Sequence, residues 1–183
     1  MRLPEAIETL NGWSRKGRVL FTREELRKLF PRDKDAAFKK SLNRLISAGV
    51  LRRVSRGLFV FAMTERRGPH LLERIAVALR RGNYNYLSLE SALSEYGVIS
   101  QVPLAGITVM TTGRAGVFDT PFGRIEFTHT KRPTSDILEH TRDVGRPLRV
   151  ATPSAASRDL RRVGRNVHLI DEDELAEAVA DGG

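Results

Sequence analysis

Lys39, Lys40, Asn43 and Arg44 stand close together in the run KKSLNR. At helical spacing they lie on the side opposite Phe38, Leu42, Leu45 and Ile46. Their chemistry suits a duplex nucleic acid. An asparagine amide matches the adenine edge in the major groove, an arginine fork matches guanine, and lysines neutralise phosphate. Arg52, Arg53 and Arg56 follow in a β-prone stretch and are candidates for phosphate or minor-groove contact. Because neighbours on a strand point to opposite faces, Arg52 and Arg53 are not expected to meet the same groove wall. Arg56, at a turn, is the clearest of the three.

The elements that must hold these residues are legible around them. Gly49 stands where a left-handed residue would close the helix, and Val50 where it would fold back on Leu45. Two short β-prone runs, Val50 to Val54 and Leu58 to Phe61, are joined by Ser55, Arg56 and Gly57, which reads as a basic hairpin. Upstream, Leu3 to Lys16 reads as a first helix with Ile7, Leu10 and Trp13 inward. Thr22 with Glu25 is a capping box flanked by the staple Phe21 and Leu26, so a second helix begins there. Pro31 ends it, and Asp33 is placed to cap the basic helix. Helix, tight turn, longer basic helix and hairpin is the order of a winged helix-turn-helix.

The charge is uneven. From Met1 to Arg67 there are 17 Lys and Arg against 7 Asp and Glu, a net +10, whereas from Gly68 to Gly183 there are 14 against 15, a net −1. An excess confined to one small region is the electrostatic footprint of a polyanion binder. The length suits two domains: residues 1–63 as the winged helix, 64–68 (TERRG) as a linker and 69–183 as the second domain. With no cysteine, disulfides, thiolate metal sites and cysteine nucleophiles are excluded. No apolar run reaches the roughly 20 residues of a membrane span, and the expected compartment is the cytoplasm.

The second domain reads as α+β, with a small, mainly antiparallel sheet. Pro69 opens one helix, and Ser88 caps another that Gly97 ends. Ile107 to Thr112, Val117-Phe118 with Arg124 to Thr130 as a hairpin, Arg149 to Thr152 and Asn166 to Ile170 read as strands. Arg158, Arg161, Arg162 and Arg165 form a stripe along one helix. They are candidates for a second polyanion or a partner protein, with pairing to the acidic helix that follows Asp171 as the structural alternative. No catalytic or metal constellation emerges: His70, His129, His140 and His168 are scattered, and His129 reads as a packed imidazole. Asp119 and Glu126 suggest a nuclease carboxylate pair, but Thr128 stands where such sites carry lysine. Neither a cofactor nor a metal is expected.

Taken together, the segments AAFKKSLNRLISAGVLRRVSRGLFVF, NYLSLESALSEYGVIS, ITVMTTGRAG and TPFGRIEFTHTK resemble the AbiEi antitoxins of abortive-infection toxin–antitoxin pairs, over about Thr22 to Lys131. The resemblance implies a winged helix that represses its own promoter at inverted repeats, with Lys39, Lys40, Asn43 and Arg44 in the reading helix and Arg52, Arg53 and Arg56 in the wing. It also implies a second domain that opposes a nucleotidyltransferase toxin. The chain departs from the family pattern in its tail, where only ATPSAASRDLRRVG and the acidic helix follow the sheet. The expected function is thus a DNA-binding repressor and antitoxin without catalysis. The alternatives are a regulator whose second domain senses a small molecule and, more remotely, a metal-dependent nuclease.

Overall fold

The capping box forms as its residues require: the Thr22 amide donates to Glu25 Oε2 at 2.8 Å and the Glu25 amide to Thr22 Oγ1 at 3.2 Å. A computed structural model describes residues 2–64, 68–100 and 106–181 and divides the chain into two compact units, Met1–Leu71 and Leu72–Gly183. Glu65, Arg66 and Arg67 of the expected linker lie outside the described residues.

In the first unit α1 (Leu3–Arg15), β1 (Leu20–Thr22), α2 (Arg23–Leu29), α3 (Asp35–Ser47), β2 (Leu51–Ser55) and β3 (Leu58–Phe61) follow in order. The strands form an antiparallel sheet in the order β1-β3-β2. Phe21 and Leu26, the staple, both enter a core with Leu10, Phe38, Leu42, Leu45 and Phe61. The α3 terminus is a Schellman ending: Gly49 has φ +70°, its amide donates to the Ile46 carbonyl at 3.0 Å, and the Val50 amide donates to the Leu45 carbonyl at 2.9 Å. Asp33 does not cap α3. Lys34 occupies that position, without a side-chain bond to the helix amides.

In the second unit α4 (Leu71–Leu79), β4 (Asn85–Leu87), α5 (Leu89–Glu95), β5 (Gly106–Thr111), β6 (Gly116–Thr120), β7 (Gly123–His129), α6 (Thr134–Glu139), β8 (Thr141–Arg142), β9 (Arg149–Ala151), α7 (Pro153–Val163) and α8 (Glu172–Asp181) follow. This α+β unit has the mainly antiparallel sheet expected, though a larger one with parallel pairs in it. Among the described residues it has six strands, ordered β6-β7-β5-β4-β9-β8; three pairings are antiparallel and two, β5 with β7 and β4 with β9, are parallel. Strand direction depends on how the chain crosses over between strands, which local composition does not record. Asn166 to Ile170 is not a strand: Asn166 takes φ +54° and Val167–Leu169 is a single 3-10 turn.

Ser88 stands at the N-cap of α5 but makes no cap bond, because its hydroxyl donates to Asp159 Oδ2 at 3.0 Å. Tyr86 donates to the same oxygen at 3.2 Å, and Arg132 reaches Asp159 Oδ1 at 3.1 Å. Asp159 is fully buried, so this cluster satisfies a carboxylate that would otherwise be costly inside the fold. Burial and, next, the adjacent Asp159 carboxylate push the Tyr86 phenol above its ordinary pKa. Burial opposes the Arg132 charge, but Asp136 and Asp159 more than offset it.

Candidate nucleic-acid interface

The turn of α3 is set by its core side. With Phe38, Leu42 and Leu45 buried, helical geometry turns Lys39, Lys40, Asn43, Arg44 and Ser47 outward, and all five are exposed. The α3 face that the sequence singles out is therefore solvent-facing and carries two lysines, an amide and a guanidinium. Ser47 extends the polar ridge toward the helix end.

The hairpin is positioned by pairing and by a bond from α2. Strands β2 and β3 pair Arg52 with Val60, Arg53 with Phe59 and Ser55 with Leu58, and the register shift leaves Val54 as an extra residue. Gly57 takes φ +81° at the turn, and its carbonyl accepts the Arg23 amide at 2.8 Å. That bond ties the start of α2 to the hairpin turn.

Between α3 and the hairpin lies a cleft of about 590 Å³. Lys39 and Asn43 line one wall and Arg53 and Arg56 the other. Arg23 and Glu24 contribute from α2, and Leu42 and Phe59 are apolar lining. The Arg53 guanidinium lies 5.7 Å from the Phe59 ring, a cation–π contact that holds it to the cleft wall. Four of the seven predicted cationic and amide side chains thus meet around one opening. Lys40 and Arg44 do not line it; they belong to the exposed ridge of α3. Arg52 is exposed and outside the cleft, in keeping with its alternation with Arg53. Sequence reasoning missed Arg23 and Glu24, because the first turn of α2 signals a cap locally and the bond to Gly57 spans the unit.

The arginine stripe is differently employed. Arg165 bonds to Glu90 at 3.0 Å and to Glu126, and Arg161 pairs with Glu172 at 2.6 Å. Arg158 approaches Asp136 at 3.9 Å and Arg162 donates to the His129 carbonyl at 3.4 Å. Pairing with the acidic α8 accounts for Arg161 alone. Burial opposes the Arg165 charge, yet Glu126 and Glu90 raise its pKa above the ordinary arginine value.

His129 corrects its expectation. It is exposed at the end of β7, with Nδ1 bonded to the Gly113 carbonyl at 2.8 Å, because the apolar face of the strand ends at Phe127. The nuclease-like carboxylates are both engaged: Glu126 bonds Arg165, and Asp119 faces Arg124 at 3.9 Å. Among the described residues no group of three His, Asp or Glu side chains is placed to hold a metal, and no helix is long and apolar enough to cross a membrane.

These features define a mixed α+β chain of two units, the first presenting a basic helix and hairpin. No protein-family model and no curated protein matches it in sequence. In fold it is similar to the crystal structure of the RV2827C protein from Mycobacterium tuberculosis, with a TM-score of 0.62 over 100% of this chain and 73% of that one, at 14% identity. A likeness at that identity concerns the fold alone.

Proposed function

We propose that this chain is a cytoplasmic DNA-binding repressor, and that its first unit is a winged helix-turn-helix domain reading inverted repeats in its own promoter. The observation that carries this reading is the outward face of α3, where Lys40, Asn43 and Arg44 are exposed together beside a cleft lined by Lys39, Arg53 and Arg56. A ridge of this kind suits the major groove, and a cationic cleft beside it suits the flanking phosphates. The roles then divide: Asn43 and Arg44 read base edges, while Lys39, Lys40, Arg52, Arg53 and Arg56 hold the backbone. A library of base-substituted promoter fragments tests the division. Arg44→Ala relaxes the preference at one base position, and Lys40→Ala weakens all fragments alike. Indistinguishable profiles for the two variants would refute the assignment.

The second unit, in this proposal, opposes a nucleotidyltransferase toxin, so the chain is an antitoxin with no chemistry of its own. That part rests on the resemblance of the SLESAL and GRIEF segments. Co-purification of the intact chain with the product of the neighbouring gene tests it. Absence of any neighbouring nucleotidyltransferase gene would remove its basis and leave the DNA-binding reading standing.

A further inference from the structure

At one end of the large sheet, four arginines and a tyrosine gather around the turn from β5 to β6. Arg80 donates through Nε to the Arg114 carbonyl at 2.8 Å, and the Tyr84 amide donates to Thr112 Oγ1 at 3.0 Å. His129 bonds the Gly113 carbonyl, and Arg162 donates to the His129 carbonyl, which brings α7 to the same turn. These contacts bring Arg80, Arg114, Arg162 and the backbone of Tyr84 to one surface region, and Arg81 follows Arg80 in the chain. Arg81, Tyr84, Arg114 and Arg162 are exposed.

The charge here is uncompensated among the described residues. Among the described residues none of the four guanidiniums pairs with a carboxylate, and Glu126 on the adjoining strand is taken by Arg165. Arg80 is held over the rings of Phe127 at 4.5 Å and Phe118 at 4.9 Å, and its bonds go to carbonyl oxygens. Burial and the proximity of Arg114 lower its pKa, the direction expected where cations are fixed near one another without an anion. The contrast within the unit sharpens the point. Arg132, Arg146 and Arg165 each meet two acidic side chains, whereas among the described residues this cluster meets none. A bound phosphate would relieve that repulsion.

Tyr84 narrows the ligand. The residue is 46% exposed, three positions after Arg81, and its backbone bonds to Thr112, two positions before Arg114. An exposed aromatic residue in the same surface region as unpaired arginines offers a face on which unpaired bases stack while the backbone is neutralised nearby. Duplex DNA, with its bases already stacked, would use the arginines and leave the ring idle.

We infer that this end of the second unit binds single-stranded nucleic acid, with Arg81, Arg114 and Arg162 on the phosphates, Arg80 as the fixed charge beneath them and Tyr84 as the stacking platform. The site is separate from the α3 ridge and does not depend on its reading. The test is fluorescence anisotropy of the full chain with labelled oligo-dT and oligo-U strands of about 12 nucleotides, a length within the span of known single-strand sites. A duplex of the same length runs beside them. Arg81→Glu with Arg114→Glu, both surface positions, should weaken single-strand binding by about tenfold or more, and Tyr84→Ala by about tenfold. Lys40→Ala with Arg44→Ala should weaken the duplex and leave the single strands unchanged. The two sugar types separate the sources, since preference for oligo-U assigns RNA and equal binding assigns a backbone common to both.

Wild-type protein that fails to bind either strand at low salt would overturn the inference, as would Arg81→Glu/Arg114→Glu protein that binds as the wild type does. Undiminished binding by Tyr84→Ala would overturn the single-strand assignment. Loss of single-strand binding only in the α3 variant would move that ligand to the first unit and sink this site while sparing the proposed function.

Discussion

The two units place their charges in opposite ways. In Met1–Leu71 the core cluster is apolar throughout, and the cations of α3 and the hairpin face solvent. In Leu72–Gly183 the interior holds Asp159, Glu73 and Glu90, each bound to an arginine. Arginines that hold a fold together are not free to bind anything else. This is why α7, which carries three of the four stripe arginines and ends before Arg165, has less open charge than α3, and why the +10 of the first 67 residues is the more informative number.

The contrast can be broken at its deepest point. Asp159→Ala leaves Arg132 partly uncompensated and strips the Tyr86 and Ser88 hydroxyls of their acceptor. It should destabilise the second unit by about 3–5 kcal/mol. All three tyrosines lie in that unit, so near-UV dichroism during denaturant unfolding reports it. A loss under about 1 kcal/mol, the range of exposed pairs, would mean the buried cluster matters no more than a surface bridge.

The opposite result is expected on α3. Arg44→Ala should cost about 1–3 kcal/mol in DNA affinity at one base position while moving stability by no more than about 0.5 kcal/mol. Parallel binding and melting curves check both. A large stability loss would show that the α3 ridge serves the fold.

Smaller effects separate the units by pH. Glu25 is opposed by burial, but its bond from the Thr22 amide and the Arg18 guanidinium hold it below the usual carboxylate pKa. Its contribution is therefore present above the unfolded value and lost as pH falls through the folded one. Tyr86 has the opposite sign. Its raised pKa gives stability that is complete below the unfolded value of about 10 and is lost as pH rises through the folded one. Thr22→Ala should cost about 1 kcal/mol, read by the fluorescence of Trp13, the single tryptophan, and should flatten the acid limb of that transition. Tyr86→Phe should flatten the alkaline limb of the tyrosine signal.

The mildest change sharpens the picture of α1. A Cβ on Gly12, inside the helix, would meet nothing within 4 Å. Gly12→Ala should therefore stabilise the first unit by about 0.5–1 kcal/mol. A destabilisation in thermal melting would indicate that the α1 surface is covered.

What was legible in the sequence was local. The Thr22–Glu25 box, the Gly49 ending, the hairpin turn at Gly57 and the outward cations all depend on residues within a few positions of each other, and the structure has them. The second unit depends on distant partners. The Ser88 hydroxyl is taken by Asp159, 71 positions away, so a side chain that reads as a helix cap serves an ion cluster. β4 has three residues and β8 two, too short for a period to declare itself, and their neighbours β5 and β9 are chosen by topology. Arg165 reads as one of four equivalent stripe residues, yet only it reaches both Glu90 and Glu126. The cleft followed the same rule: Lys39 and Asn43 were visible as a pair on a helix, whereas Arg23 enters through a bond to the hairpin turn.

The central claim is that the exposed cations of the first unit neutralise DNA phosphates. Its most direct test is the salt dependence of affinity for the chain's own promoter fragment, for wild type and for Lys40→Ala/Arg56→Ala. The account predicts a steep log–log fall with a slope of about −0.9 per phosphate contacted, shallower by about two in the double variant. An affinity indifferent to salt, or a slope that the double variant leaves unchanged, would contradict it.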